Sequence, residues 1–129
     1  MQVANQRACG GMNSEELKVR TKEFAHRCVK LAAALPKTEL GLNIRNQLIR
    51  CSTSVAANYR AACLAQSKAA FAAKVSIVLD EADESSFWLE FTMEEGLKPQ
   101  DLVKPLHAEA QQLTAIFAAS RKTCSRGPS

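Results

Sequence analysis

The chain has little aromatic ring, little proline and little glycine: seven Phe, Trp and Tyr residues, four Pro and five Gly among 129 residues. With few breakers and much Ala, Leu, Glu, Lys and Arg, intrinsic propensity favours helix. The alternation of Val, Ile, Thr and aromatics that marks a half-buried strand is absent, which excludes a β fold. No apolar run approaches the roughly 20 residues that cross a bilayer. The opening MQVANQRACGG lacks the apolar centre of a secretory signal. The expected compartment is therefore the cytoplasm, with no membrane partner. Cys9, Cys28, Cys51, Cys63 and Cys124 are odd in number and scattered, with no Cys-x-x-Cys or Cys/His ligand spacing. They read as small apolar residues kept reduced.

What is present is helical periodicity and an uneven charge. The formal net charge is +4. Residues 1–74 hold 12 Lys/Arg against 4 Asp/Glu, and residues 75–129 hold 5 against 9. A basic half can meet nucleic acid, or it can pair with the acidic half.

At this length one domain is expected. Residues 1–12 are polar and without period, and read as a disordered segment. Helix one starts at Asn13, with Glu16 in capping-box spacing. It carries Leu17, Phe24, Cys28, Leu31 and Leu35 inward and ends at Pro36. Helix two begins within 38–43, with Ile44, Leu48, Cys51, Val55, Asn58 and Ala62 on its seam and Tyr59 on a second stripe. The turn falls at 66–68, where Ser67 suits an N-cap. Helix three places Phe71, Val75, Val78, Ala82, Ser85, Leu89 and Thr92 on one seam, and Ile77, Glu81, Glu84, Trp88 and Phe91 beside it. Gly96 suits its C-terminal cap. Helix four spans about 100–120, with Leu102, Leu106, Ala110, Leu113 and Phe117 inward; Pro105 moves its expected start towards Lys104. The bundle is expected over 13–121, followed by a disordered tail at 122–129. Four amphipathic helices with short connections specify an all-α, antiparallel up-down-up-down bundle. The second stripe (Tyr59, Ile77, Glu81, Glu84, Trp88, Phe91) exceeds what one bundle hides, and is read as an interface between copies.

Three segments carry a family likeness: ELKVRTKEFAHRCVKLAAALPK at Glu16–Lys37, QLIRCSTSVAANYRAA at Gln47–Ala62 and QSKAAFAAKVSIVLDEADESSFWLE at Gln66–Glu90. The rhythm Arg50, Ser54, Asn58, followed by Ser67, Lys68 and Phe71, is the most specific part. The chain resembles the four-helix-bundle family encoded in intervening sequences of bacterial 23S ribosomal RNA genes; helix four carries the likeness only in pattern. The resemblance implies a pentameric ring with no established biochemical activity. It also implies kinship with the accessory variability protein of diversity-generating retroelements, which shares that ring and works with a reverse transcriptase and nucleic acid.

Asn58 reads as a structural polar residue fixing register between helices, with ligand contact as the other option. Arg50 falls level with Glu81 and Glu84 if helices two and three are antiparallel, so an ion pair is expected. A carboxylate metal site is the competing reading, but no Glu-x-x-His accompanies His26 or His107. Ser52, Thr53 and Ser54 lack a His–Asp partner pattern and read as small packing residues. Lys18, Arg20, Lys22 and Arg27 on helix one, with Arg45, Arg50 and Arg60 on helix two, are either a solvated face or contacts to an RNA or DNA backbone. No RNA-recognition signature, zinc finger or arginine-rich run supports base-specific readout. The expected function is a non-enzymatic, homo-oligomeric platform for nucleic acid, needing no cofactor or metal. The alternative is a protein–protein scaffold.

Overall fold

The computed structural model describes residues 12–126. Four helices occupy them: α1 (Ser14–Ala33), α2 (Glu39–Ala62), α3 (Lys68–Glu94) and α4 (Gln100–Arg126). Each packs chiefly on its neighbour in sequence, while α1 meets α4 only sparingly.

Local chemistry sets most boundaries. Asn13 caps α1 reciprocally: its side chain accepts from Glu16 N at 2.8 Å, and its own N–H donates to the Glu16 carboxylate at 3.2 Å. Thr38 and Ser67 cap α2 and α3, accepting from Gly41 N and Ala70 N. Gly96, at φ +64°, ends α3. Its N–H reaches Met93 O and that of Leu97 reaches Thr92 O, the paired bonds that close a left-handed cap.

The seam residues of α1 and α3 named from spacing are all buried. Two positions differ elsewhere. On α2 the core place is taken by Tyr59, 1% exposed, and Asn58 turns to the half-buried flank facing α3. Both positions continue a three–four pattern from Val55, and the ring gains more from burial than an amide that must keep its hydrogen bonds. Tyr59 therefore leaves the set of interface candidates. On α4, Val103 is buried and Leu102 is 59% exposed. The true seam is Val103, Leu106, Ala110, Leu113, Phe117, Ser120 and Cys124, an unbroken three–four alternation.

That seam extends past the expected end of the domain at 121, so α4 continues through Arg126 instead of giving way to a tail at 122. Pro105 sits inside α4 and does not delay its start at Gln100. Met12, placed by its sequence in a disordered segment, is half-buried against the core. The rest of that segment, residues 1–11, and residues 127–129 lie outside the described residues. Cys28, Cys51 and Cys63 are buried free thiols, whereas Cys124 is disulfide-bonded, against the expectation of a wholly reduced set.

The hydroxyl of Tyr59 is buried without a hydrogen-bond partner of standard geometry. The Cys63 thiol lies beside it, and burial pushes the phenol well above its ordinary range. An unsatisfied buried hydroxyl costs about 1–3 kcal/mol. The Tyr59→Phe variant keeps the ring against Phe117, 5.4 Å away, and is expected to gain about 1 kcal/mol. Urea unfolding followed by circular dichroism checks the sign.

Candidate functional site

Between α2 and α3 the residues of the Arg-x-x-x-Ser-x-x-x-Asn rhythm meet the acidic run in one continuous polar ladder. The Asn58 amide donates to Ser54 O at 3.0 Å and Ser54 Oγ at 2.8 Å. Ser54 Oγ donates to Glu81 at 3.1 Å. Arg50 Nη1 donates to both Glu81 oxygens, at 3.3 and 3.4 Å, and Nη2 donates to Glu84. Trp88 Nε1 donates to the same Glu84 oxygen at 3.3 Å. The hydrogen bond to Arg50 holds the Glu84 carboxyl below its ordinary range and raises the guanidinium in turn. The level pairing of Arg50 with Glu81 and Glu84 is as the antiparallel spacing predicts. Asn58 does not itself cross between helices; it steadies Ser54, which does.

This ladder occupies much of the stripe read as an interface. Glu81, Glu84, Trp88 and Phe91 are half-buried, and Ile77 is 41% exposed. Phe87 is more exposed still, at 50%. It stacks edge-on against Trp88 at 4.9 Å and lies 5.9 Å from Phe91. The stripe as read from spacing omits Phe87. The signal available was a large aromatic on the side away from the core seam, four residues before Phe91.

The seven basic candidates fall on several faces. Arg20 is committed to α4: its Nε and Nη2 donate to the Glu109 carboxylate at 2.7 and 2.8 Å, and Nη2 also donates to Gln112 at 2.7 Å. The hydrogen bond to Glu109 raises its pKa. Arg50 is committed to α3, as above. Lys18 pairs with Glu15 at 2.9 Å, which raises its pKa. Arg45 is half-buried on α2.

Lys18, Lys22 and Arg60, with His26, line an open trough of about 640 Å³ between α1 and α2, over Ala25, Val29, Ala56 and Ala57. On the other flank of α1, Arg27, Lys30 and Lys98 line a recess of about 300 Å³ with Leu102 and Leu106. Neither lining includes a carboxylate.

Burial pushes the Cys28 thiol far up and the Cys51 thiol up to about 11, so both are protonated near neutrality. Thr53 Oγ1 donates to Ile49 O and Ser52 Oγ to the same carbonyl, bonds internal to α2. Among the described residues no three His, Cys, Asp or Glu side chains gather where they could hold a metal ion. No described helix is long and apolar enough to cross a membrane.

No curated protein matches the chain. A crystal structure from Bacteroides thetaiotaomicron VPI-5482, a protein with unknown function from the S23 ribosomal protein family, is similar at 29% identity and a TM-score of 0.77. The match covers 85% of this chain and 98% of that one. The family model for the 23S rRNA-intervening sequence protein matches residues 15–119. With most of α1 to α4 inside that match, the chain belongs to the 23S rRNA-intervening sequence protein family.

Proposed function

We propose that this protein is a non-enzymatic, self-associating helical bundle of the cytoplasm that presents cations to an RNA or DNA backbone. Its helices alternate up and down, because each connection (34–38, 63–67 and 95–99) has only five residues and so turns the chain back on itself. The exposed aromatic face of α3 supports assembly between copies, and the count of five copies rests on the family resemblance alone.

The observation that carries the nucleic-acid reading is the recess on the α4 flank of α1, lined by Arg27, Lys30 and Lys98 and containing no carboxylate. A ring repeats such a patch around its axis, so weak phosphate interactions multiply. Binding of this kind reads backbone charge, not sequence, and weakens steeply with salt. Mobility-shift titrations with single- and double-stranded RNA and DNA over a salt series test it. A linear fall of log affinity with log salt is expected. Replacing Arg27, Lys30 and Lys98 by Ala is expected to make that fall shallower on duplex DNA, by about 0.9 for each phosphate that is no longer neutralised. No shift at low salt removes this reading.

A protein-interaction scaffold is the second reading. Lys18, Arg20 and Arg50, three of the seven basic candidates, are ion-paired inside the protomer, and both recesses have apolar floors suited to side chains. Salt-independent capture of a protein with no nucleic acid bound would favour it.

A further inference from the structure

Two surfaces of the chain are unfinished in complementary ways. The first is the trough between α1 and α2. Its floor is small and apolar (Ala25, Val29, Ala56, Ala57), and Lys22 and Arg60 stand on its rim. The second is the outward face of α3, where Phe87 is half exposed and stacks with Trp88 and Phe91. Asp80, Asp83 and Glu90 are exposed around it. At 3.6 residues per turn, positions 80, 83, 87, 90 and 91 fall within roughly a third of the helix circumference, away from the buried seam. Between Val75 and Leu97 there are seven carboxylates and no Lys or Arg. One surface thus offers rings with a carboxylate fringe; the other offers an apolar seat with a cationic rim.

A single chain cannot bring these together. The trough opens between α1 and α2, while α3 packs on α2 and α4. We infer that the aromatic and acidic face of α3 in one copy seats in the α1/α2 trough of a second copy. The contact joins unlike surfaces, so every copy has one face to give and one trough to fill. It repeats until a rotation closes the ring. Phe87 is the anchor: a large ring entering an apolar seat is where binding energy concentrates. The surrounding charge pairs set which surfaces meet and in which register.

This assignment rests on the self-association proposed above and sharpens it. Lys22 and Arg60 belong to the interface between copies, and the recess of Arg27, Lys30 and Lys98 on the other flank of α1 stays open to phosphate.

The test uses two charge variants of the full chain, Asp80→Lys/Asp83→Lys and Lys22→Glu/Arg60→Glu, with mass followed by light scattering. Each alone is expected to associate at least about tenfold more weakly than the unaltered protein, a change of about 1.4 kcal/mol. Mixed in equal amounts they associate again into pairs and longer alternating chains, because the reversed face of one now fits the reversed trough of the other. A ring of five cannot alternate two variants throughout, so recovery is read as mass above the monomer. Phe87→Ala, which changes no charge, is expected to weaken association by a similar factor. Circular dichroism establishes that each variant keeps its helices, since all five positions are at the surface or partly exposed. If the unaltered protein assembles and both charge variants assemble equally well, or if the mixture of two folded variants stays dissociated, this interface is overturned. If the unaltered protein is itself a monomer at micromolar concentration, the self-association reading falls first.

Discussion

Replacing Gly41 with Ala is expected to destabilise the protein by about 2–3 kcal/mol, the clash prevailing over what helix propensity predicts. Gly41 lies in the first turn of α2, and Ala in a helix interior is favoured over Gly by about 1 kcal/mol. Here a Cβ would stand 2.0 Å from Pro36 O, 3.0 Å from Pro36 C and 3.2 Å from Thr38 Oγ1. The first two are backbone atoms of a residue whose φ is fixed, so relief requires moving the 34–38 connection. That movement also disturbs the cap, because Gly41 N donates to Thr38 Oγ1 at 3.0 Å. Overpacking costs about 1–3 kcal/mol and a lost cap about 1 kcal/mol, which together exceed the propensity gain. The measurement is the urea midpoint by circular dichroism with an unchanged slope. A variant as stable as the parent, or more so, would show that the connection yields freely.

Nothing in the spacing of Gly41 announces this. The glycine sits where a capped first turn is expected, and its role depends on how closely the preceding connection folds back, a tertiary distance. The same division runs through the fold. The seam of α3 is legible because Phe71, Val75, Val78, Ala82, Ser85, Leu89 and Thr92 admit one three–four path. Where two adjacent residues both continue the path, periodicity alone does not choose. Asn58 or Tyr59 follows Val55, and Leu102 or Val103 precedes Leu106. Packing made the choice in each case, and on α4 it also carried the seam on to Ser120 and Cys124.

The candidate site was legible to the extent that it depends on level pairing between neighbouring helices. Arg50 opposite Glu81 and Glu84 follows from a turn near residue 66. The extension of that pair into a ladder from Asn58 to Trp88 does not, since it depends on Asn58 facing the flank. The division of cations between ion pairs and open recesses was not legible either. Lys22 and Arg20 are two residues apart and carry the same charge, yet one lines a trough and the other is held by α4. Which flank of α1 each faces is decided by the positions of α2 and α4 around it.

Arg20 carries the second large effect. Its substitution by Ala is expected to cost about 2 kcal/mol of stability, an amount intermediate between exposed and buried ion pairs. The side chains of Arg20 and Glu109 are only 26% and 17% exposed, and the guanidinium holds the carboxylate with two parallel hydrogen bonds. Removing the guanidinium leaves Glu109 largely desolvated without its cation, at the place where α1 and α4 otherwise touch little. Exposed pairs are worth about 0–1 kcal/mol and breaking buried ones costs about 3–5 kcal/mol; this pair lies between. Removing both partners in Arg20→Ala/Glu109→Ala is expected to recover about 1 kcal/mol, since the stranded charge goes with its partner. The same Arg20→Ala variant separates the two roles this residue can have. As a clasp between helices, it alters the urea midpoint and leaves the salt dependence of nucleic-acid binding unchanged. As a phosphate ligand, it would leave stability within about 0.5 kcal/mol and reduce the duplex salt slope by about 0.9. That second outcome would mean that the Glu109 pairing opens when nucleic acid binds.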